Sequence, residues 1–78
     1  MHVNPILVVD DNAQIVDILS QYIKKEGWPM LAAKTGEEAL ALFGAAEPSL
    51  ILLDIMLPGL DGLEVCRRIR RVSSVPIL

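Results

Sequence analysis

Three aspartates stand at the ends of two apolar runs: Asp10 and Asp11 close Ile6-Leu-Val-Val9, and Asp54 closes Leu50-Ile-Leu-Leu53. Desolvation disfavours an ionised carboxylate, so an acid is a costly group to place at the end of a buried strand. Two such strands ending in three acids point to a site where a cation offsets the charge. Oxygen-only ligation by a few carboxylates, with room for water and a phosphate, suits Mg²⁺. No His or Cys lies close to either acidic stretch, which argues against zinc. Asp10 and Asp11 alone could merely favour a helix N-terminus through its macrodipole. Asp54 at a second strand end is what turns the pair into a site.

The elements that must position these acids alternate strand and helix, the pattern of parallel βαβ units. Ile6 to Asp10 lacks polar alternation and reads as a strand buried on both faces. A helix follows, with Ile15, Ile18, Leu19, Tyr22 and Ile23 at the spacing of one helical face. Asn12 or Asp11 caps its start, and Gly27 stands where the residue after a helix C-cap belongs. Pro29 to Ala33 reads as a second strand near a sheet edge, because Pro29 has no N–H for a ladder. Thr35-Gly-Glu-Glu38 is a capping-box signature opening a helix with Ala39, Leu40 and Phe43 inward, ended by Glu47-Pro48. Leu50 to Asp54 is the third strand, Ile55 to Gly62 a loop with a Pro58-Gly59 turn, and the next helix carries Leu63, Cys66 and Ile69 inward. Val75 to Leu78 reads as a fourth strand. Right-handed crossovers make the strands parallel and bring Asp10, Asp11 and Asp54 to one edge of the sheet. If the first and third strands are neighbours, strand order reverses there and opens a ligand crevice.

Seventy-eight residues bound the chain to one small domain, 1–78. A hydrophobic content of 53% is high for so short a chain, and suggests a piece of a larger fold or a surface buried against a partner. No apolar run approaches the ~18–20 residues of a membrane span, and the segment Met1 to Pro5 lacks the features of a signal peptide. A single cysteine, Cys66, rules out an intramolecular disulfide and fits a reducing cytoplasm. The net charge of −3 excludes a general nucleic-acid surface. Arg67, Arg68, Arg70 and Arg71 read instead as a solvated helix face, with a Glu64–Arg68 ion pair. Asp61 reads as a helix cap, Cys66 as a buried small hydrophobe, Trp28 as core, and His2 as a disordered terminal residue.

Val8-Val-Asp-Asp-Asn12, followed by Leu52-Leu-Asp-Ile-Met-Leu-Pro-Gly-Leu-Asp-Gly62, resembles the receiver domain of bacterial two-component response regulators. The match runs the length of the chain in order and spacing. Within that family it looks most like receivers that precede a winged-helix DNA-binding domain, which would place it in transcription regulation. The resemblance implies a flavodoxin-like, chemotaxis-regulator-like α/β fold: a three-layer αβα, doubly wound parallel sheet. Here it would be incomplete, with four strands in the order 2-1-3-4 and three helices. It implies that Asp54 is the phosphoacceptor, taking a phosphoryl group from a sensor histidine kinase. Asp11 and Asp54 would ligate Mg²⁺ directly with the backbone carbonyl of Met56, and Asp10 would hold it through water.

The family fold has five βα units, and this chain resembles three and a fourth strand. The family's switch Ser/Thr, its phosphate-binding Lys and its last two helices have no counterpart in the sequence, so impaired phosphorylation is the expectation for a truncated chain. A homo-oligomer that covers the surfaces left open is expected with it. Two other readings compete. One is a non-signalling assembly fragment whose acids are relics. The other is a Mg²⁺-dependent aspartyl-phosphate hydrolase, which wants Asp-x-Asp after its first strand, whereas Asp10 and Asp11 are adjacent. A signalling module, rather than an enzyme, is the reading that the motifs favour.

Overall fold

The computed structural model describes residues 4–78, so the reading of His2 lies outside the described residues. The elements are β1 (Ile6–Val9), α1 (Ala13–Lys25), β2 (Met30–Ala33), α2 (Gly36–Ala46), β3 (Leu50–Leu53) and α3 (Gly62–Arg70). All pairing is parallel, in the order β2-β1-β3. β1 is buried along its whole length, as its unbroken apolar run requires of a central strand. Alternate residues feed two cores. Leu7, Val9 and Ile51 face α2 and α3, with Ala39, Val65 and Ile69 closing over them. Ile6 and Val8 face α1 and meet Ile23, Val16 and Leu19. Helices therefore lie on both faces of the sheet, in the three layers expected.

The helix ends follow their residue chemistry. Asn12 Oδ1 accepts from the N–H groups of Gln14 and Ile15 at 2.9 and 3.2 Å, and so starts α1. Gly27 is left-handed at φ 85°. Its N–H donates to the Lys24 carbonyl at 2.9 Å and that of Trp28 to Ile23 at 3.2 Å, the paired bonds of a Schellman ending. Thr35 Oγ1 accepts from Glu38 N at 3.1 Å, and Asp61 Oδ1 from Glu64 N at 2.9 Å. Glu64 also receives Arg67 Nη1 and Arg68 Nε, each at 3.0 Å. The Arg68 hydrogen bond, then that of Arg67, holds the Glu64 carboxyl below the usual carboxylate range. Its small, exposed contribution to stability is thus present at neutral pH and fades as pH falls through that lowered value.

Several expectations change. Val75 to Leu78 lies beside β3, in the fourth place of the expected order, but as a single bridge between Ile77 and Ile51 rather than a strand. Pro76 accepts from Ile51 N at 2.9 Å but has no N–H to carry the ladder further back along β3. The inward stripe of α1 is Val16, Leu19 and Ile23. Ile15, Ile18 and Tyr22, expected inside, are 43, 54 and 67% exposed, because the helix turns Val16, Leu19 and Ile23 to the sheet instead. In α3 the core residues are Val65 and Ile69; Leu63 is 55% exposed, since the Gly62–Val65–Ile69 line faces the sheet and Leu63 turns away. Trp28 covers the end of α1 beside Tyr22 and Ile23 and stays exposed, and Cys66 is only half-buried.

The α3 assignment is directly testable. Ile69→Ala should lower the free energy of unfolding by about 2–5 kcal/mol through cavity formation, and Leu63→Ala by no more than about 0.5 kcal/mol. Urea unfolding of the two variants checks it, and equal losses would show that Leu63 shares the core.

Candidate functional site

β1 and β3 pair in register, Val9 opposite Leu53, so the next residue of each strand leaves the sheet at the same level. Those residues are Asp10 and Asp54. The ladder holds their backbones too: Asp10 N donates to Ala33 O at 3.0 Å and Asp54 N to Val9 O at 2.9 Å. Asp11 follows on the turn into α1. One carboxylate oxygen from each of Asp10, Asp11 and Asp54 lies within 4.8 Å of the others. On an octahedral Mg²⁺ adjacent oxygens stand about 2.9 Å apart and opposite ones about 4.2 Å, so the three carboxylates would draw inward to share one ion.

The local bonds repeat around the two strand ends. Asn12 N–H donates to Asp10 Oδ1 at 2.8 Å, and Met56 N–H donates to Asp54 Oδ1 at 2.9 Å. Each bond orients a carboxylate through the amide two residues on, and leaves its second oxygen without that partner. The Met56 peptide is thereby seated against Asp54, while its side chain is exposed. Asp10 and Asp54 are half-buried and Asp11 is exposed. No charged side chain is fully buried among the described residues. The expectation of acids desolvated at buried strand ends is corrected accordingly: the strands are buried, but the acids stand on a wet rim. Water there softens their mutual repulsion and leaves room for the remaining ligands of a cation.

The loop from Ile55 to Asp61 is drawn tightly against this rim. Gly62 N–H donates to Ile55 O at 3.2 Å. A Cβ on Gly62 would collide with Ile55 Cα and stand 2.7 Å from Asp54 O, so only glycine lets α3 start this close to the acids. Asp61 is outside the carboxylate cluster and acts as the α3 cap, as read from the sequence. Two hollows flank the acids. One, of about 470 Å³, runs from Asp10 and Asp54 down Val8, Leu52 and Ile15 on the sheet face under α1. The other, of about 310 Å³, lies between Asp10, Asp11 and Asp17 on one side and Lys34 and Glu38 on the other.

The three acids singled out in the sequence are thus brought together, with the Met56 peptide beside Asp54. Sequence reasoning missed Lys34 beside the cluster, and Glu37, whose Oε1 accepts from Leu60 N in the loop at 3.0 Å. The doubled glutamate of Thr35-Gly-Glu-Glu38 held the signal, since a capping box uses only the second.

The chain is similar to known proteins over most of its length. The family model of the response regulator receiver domain matches residues 6–78. Among solved structures, the chain is similar to the BeF3-activated N-terminal receiver domain of Klebsiella pneumoniae RstA, at 34% identity and a TM-score of 0.89, over 95% of this chain and 63% of that one. It is similar to the response regulator protein TrrA of Thermotoga maritima in complex with Mg(2+)-BeF, at 42% identity and a TM-score of 0.83, over 88% of this chain and 60% of that one. A complex of histidine kinase ThkA with TrrA matches at 39% identity and a TM-score of 0.85, over 96% of this chain and 66% of that one. The chain therefore spans between 60 and 66% of the length of these structures.

Proposed function

Since the chain belongs to the response regulator receiver domain family, we propose that it is the phosphoacceptor module of a two-component phosphorelay, with Asp54 as acceptor. The single observation that carries this is the meeting of Asp10, Asp11 and Asp54 at the in-register ends of β1 and β3. In this reading Asp11, Asp54 and the Met56 carbonyl hold Mg²⁺ directly, and Asp10 holds it through water. The donor set fits, being oxygen throughout and open to solvent. TrrA bound with Mg(2+)-BeF supports it. When bound, the ion would neutralise charge on the phosphoryl oxygens as they approach.

The chain's own residues supply position. Asp54 Oδ1 is occupied by Met56 N–H, which leaves Oδ2 as the attacking oxygen. It forms a bond to the phosphorus of a phosphohistidine as the phosphorus–nitrogen bond breaks, and the imidazole leaves with the electron pair. The donor would be a sensor histidine kinase, a partner class supported by the ThkA–TrrA complex. Residues 1–78 act here as one receiver unit and a signalling module rather than a turnover enzyme. A cytoplasmic setting and an output in transcription regulation extend the same reading to the whole protein.

Residues 1–78 by themselves should be labelled slowly. The added phosphoryl group brings negative charge beside Asp10 and Asp11, and among the described residues only Lys34 offers a cationic side chain in the adjoining hollows. Each charge-assisted partner that is missing slows the transfer by about tenfold or more. Acetyl phosphate with Mg²⁺, followed by intact-mass spectrometry, should add one phosphoryl group, more slowly than to a longer receiver such as TrrA. Asp54→Asn should abolish the addition. Labelling that survives Asp54→Asn would place the acceptor elsewhere, and no labelling despite Mg²⁺ binding would favour the assembly reading.

We also propose a homo-oligomer. Ile15 lines the apolar hollow of Val8 and Leu52, and Ile18 and Tyr22 add exposed apolar surface farther along α1, beside Gln21 and Lys25. A two-fold dimer lets each copy cover the other's face with the same residues. Pro76 disfavours extension of the sheet edge, so face packing is the expected mode. Light scattering across dilution should show a dimer, weakened by Ile18→Glu; a cooperative, folded monomer at micromolar concentration would contradict it.

A further inference from the structure

We propose that Glu37 is a positioning residue for the cation site, holding the Ile55–Asp61 loop so that the Met56 peptide stays beside Asp54. The role rests on the reading of Asp54 and Met56 given above. Thr35 and Glu38 N already cap α2, so the Glu37 carboxylate is free for another partner. It reaches across to the neighbouring loop, where Oε1 accepts from Leu60 N at 3.0 Å, a bond between residues 23 apart. The carboxylate lies on the Gly59–Leu60 turn: a Cβ on Gly59 would stand 3.3 Å from Oε2 and 3.4 Å from Oε1. The start of α2 meets the same loop, since a Cβ on Gly36 would collide with the Leu60 carbonyl.

Leu57 anchors the loop by burial in the core and Leu60 packs against the same cluster, while the loop's other hydrogen bonds lie near its ends. Met56 N is on Asp54 Oδ1 at 2.9 Å, and Gly62 N is on Ile55 O at 3.2 Å. Between them Pro58 and Gly59 are exposed, and of these bonds to the loop only that of Glu37 comes from a different element. A carboxylate accepting from a backbone amide makes a stronger bond than a neutral pair. A ligand carried on a loop binds its ion less tightly when the loop samples more conformers, because only some of them are competent. Glu37 narrows that ensemble without touching the ion.

Charge has to be separated from position, since removing any acid near a cation site weakens attraction for the cation. Glu37→Ala removes both charge and acceptor, whereas Glu37→Gln removes the charge and keeps Oε1. Mg²⁺ titrations of the parent chain and both variants, followed by the amide NMR signals of Met56 and Leu60, distinguish the two. Glu37→Ala should weaken Mg²⁺ on the order of tenfold and speed hydrogen exchange at Leu60 N–H. Glu37→Gln, whose neutral amide oxygen still accepts from Leu60 N, should weaken Mg²⁺ clearly less than Glu37→Ala. Should Glu37→Ala fail to fold, Glu37→Asp, one methylene short of Leu60, should show the same weakening. Unchanged affinity in Glu37→Ala, or equal weakening in Ala and Gln, overturns the positioning role while the cation site stands. A parent chain that binds no Mg²⁺ overturns the cation reading itself, and the role of Glu37 falls with it.

Discussion

The in-register parallel pairing of β1 with β3 is the constraint on which the site depends. A strand's side chains alternate faces, so a slip of one residue would turn Asp54 to the opposite face from Asp10 and carry it about 3.3 Å along the sheet. The register is secured by burial rather than by the acids. Leu7, Val9 and Ile51 fill the core under α2 and α3, while Ile6 and Val8 fill the one under α1, so a slipped β3 would lose apolar contacts on both faces. Acids that repel one another are thus brought together by groups with no part in their chemistry. Function at a strand end draws on the stability of the whole sheet, which is how a fold supports a locally unfavourable cluster.

The two faces of the sheet are not equivalent. Under α2 and α3 the packing is dense, and Gly62 brings the backbone of α3 against Asp54 and Ile55. Glu37 accepts from the Ile55–Asp61 loop, and Met56 lies within that loop with its N–H on Asp54. Under α1 the packing is thinner. Leu50 and Leu52 are only half-buried, and the hollow beside Ile15 and Leu19 opens directly onto Asp10 and Asp54. One face therefore sets geometry, and the other leaves apolar surface and one side of the acids accessible. A site that must admit both an ion and a phosphoryl donor needs such an opening.

Much of this was legible in the sequence, for identifiable reasons. Unbroken apolar runs located β1 and β3, and the acids after them marked the sheet edge, because both signals are local. Asn12, Thr35 and Asp61 were readable as caps, since capping involves only residues two or three positions apart. What escaped depended on neighbours distant in the chain. Helical spacing identified Ile15, Ile18 and Tyr22 as apolar, but not whether any surface opposes them; only the outcome at Val16, Leu19 and Ile23 reveals that. Leu63 was read as inward and Val65 was not; the close seat of Gly62 rotates α3 the other way, with Val65 in the core. Glu37 was hidden because its partner, Leu60, offers a backbone amide, which no residue type advertises.

The coupling of stability to Mg²⁺ tests the account most directly. Three carboxylates held by the register should destabilise the metal-free fold, and a shared ion should reverse that effect by mass action. The measurement is urea unfolding of the parent chain and Asp54→Asn, with and without Mg²⁺ at matched ionic strength. The account predicts that Asp54→Asn is the more stable of the two without Mg²⁺, and that Mg²⁺ stabilises the parent chain far more than the variant. Equal stabilisation of both proteins, or none of either, would contradict a cation site built on Asp10, Asp11 and Asp54.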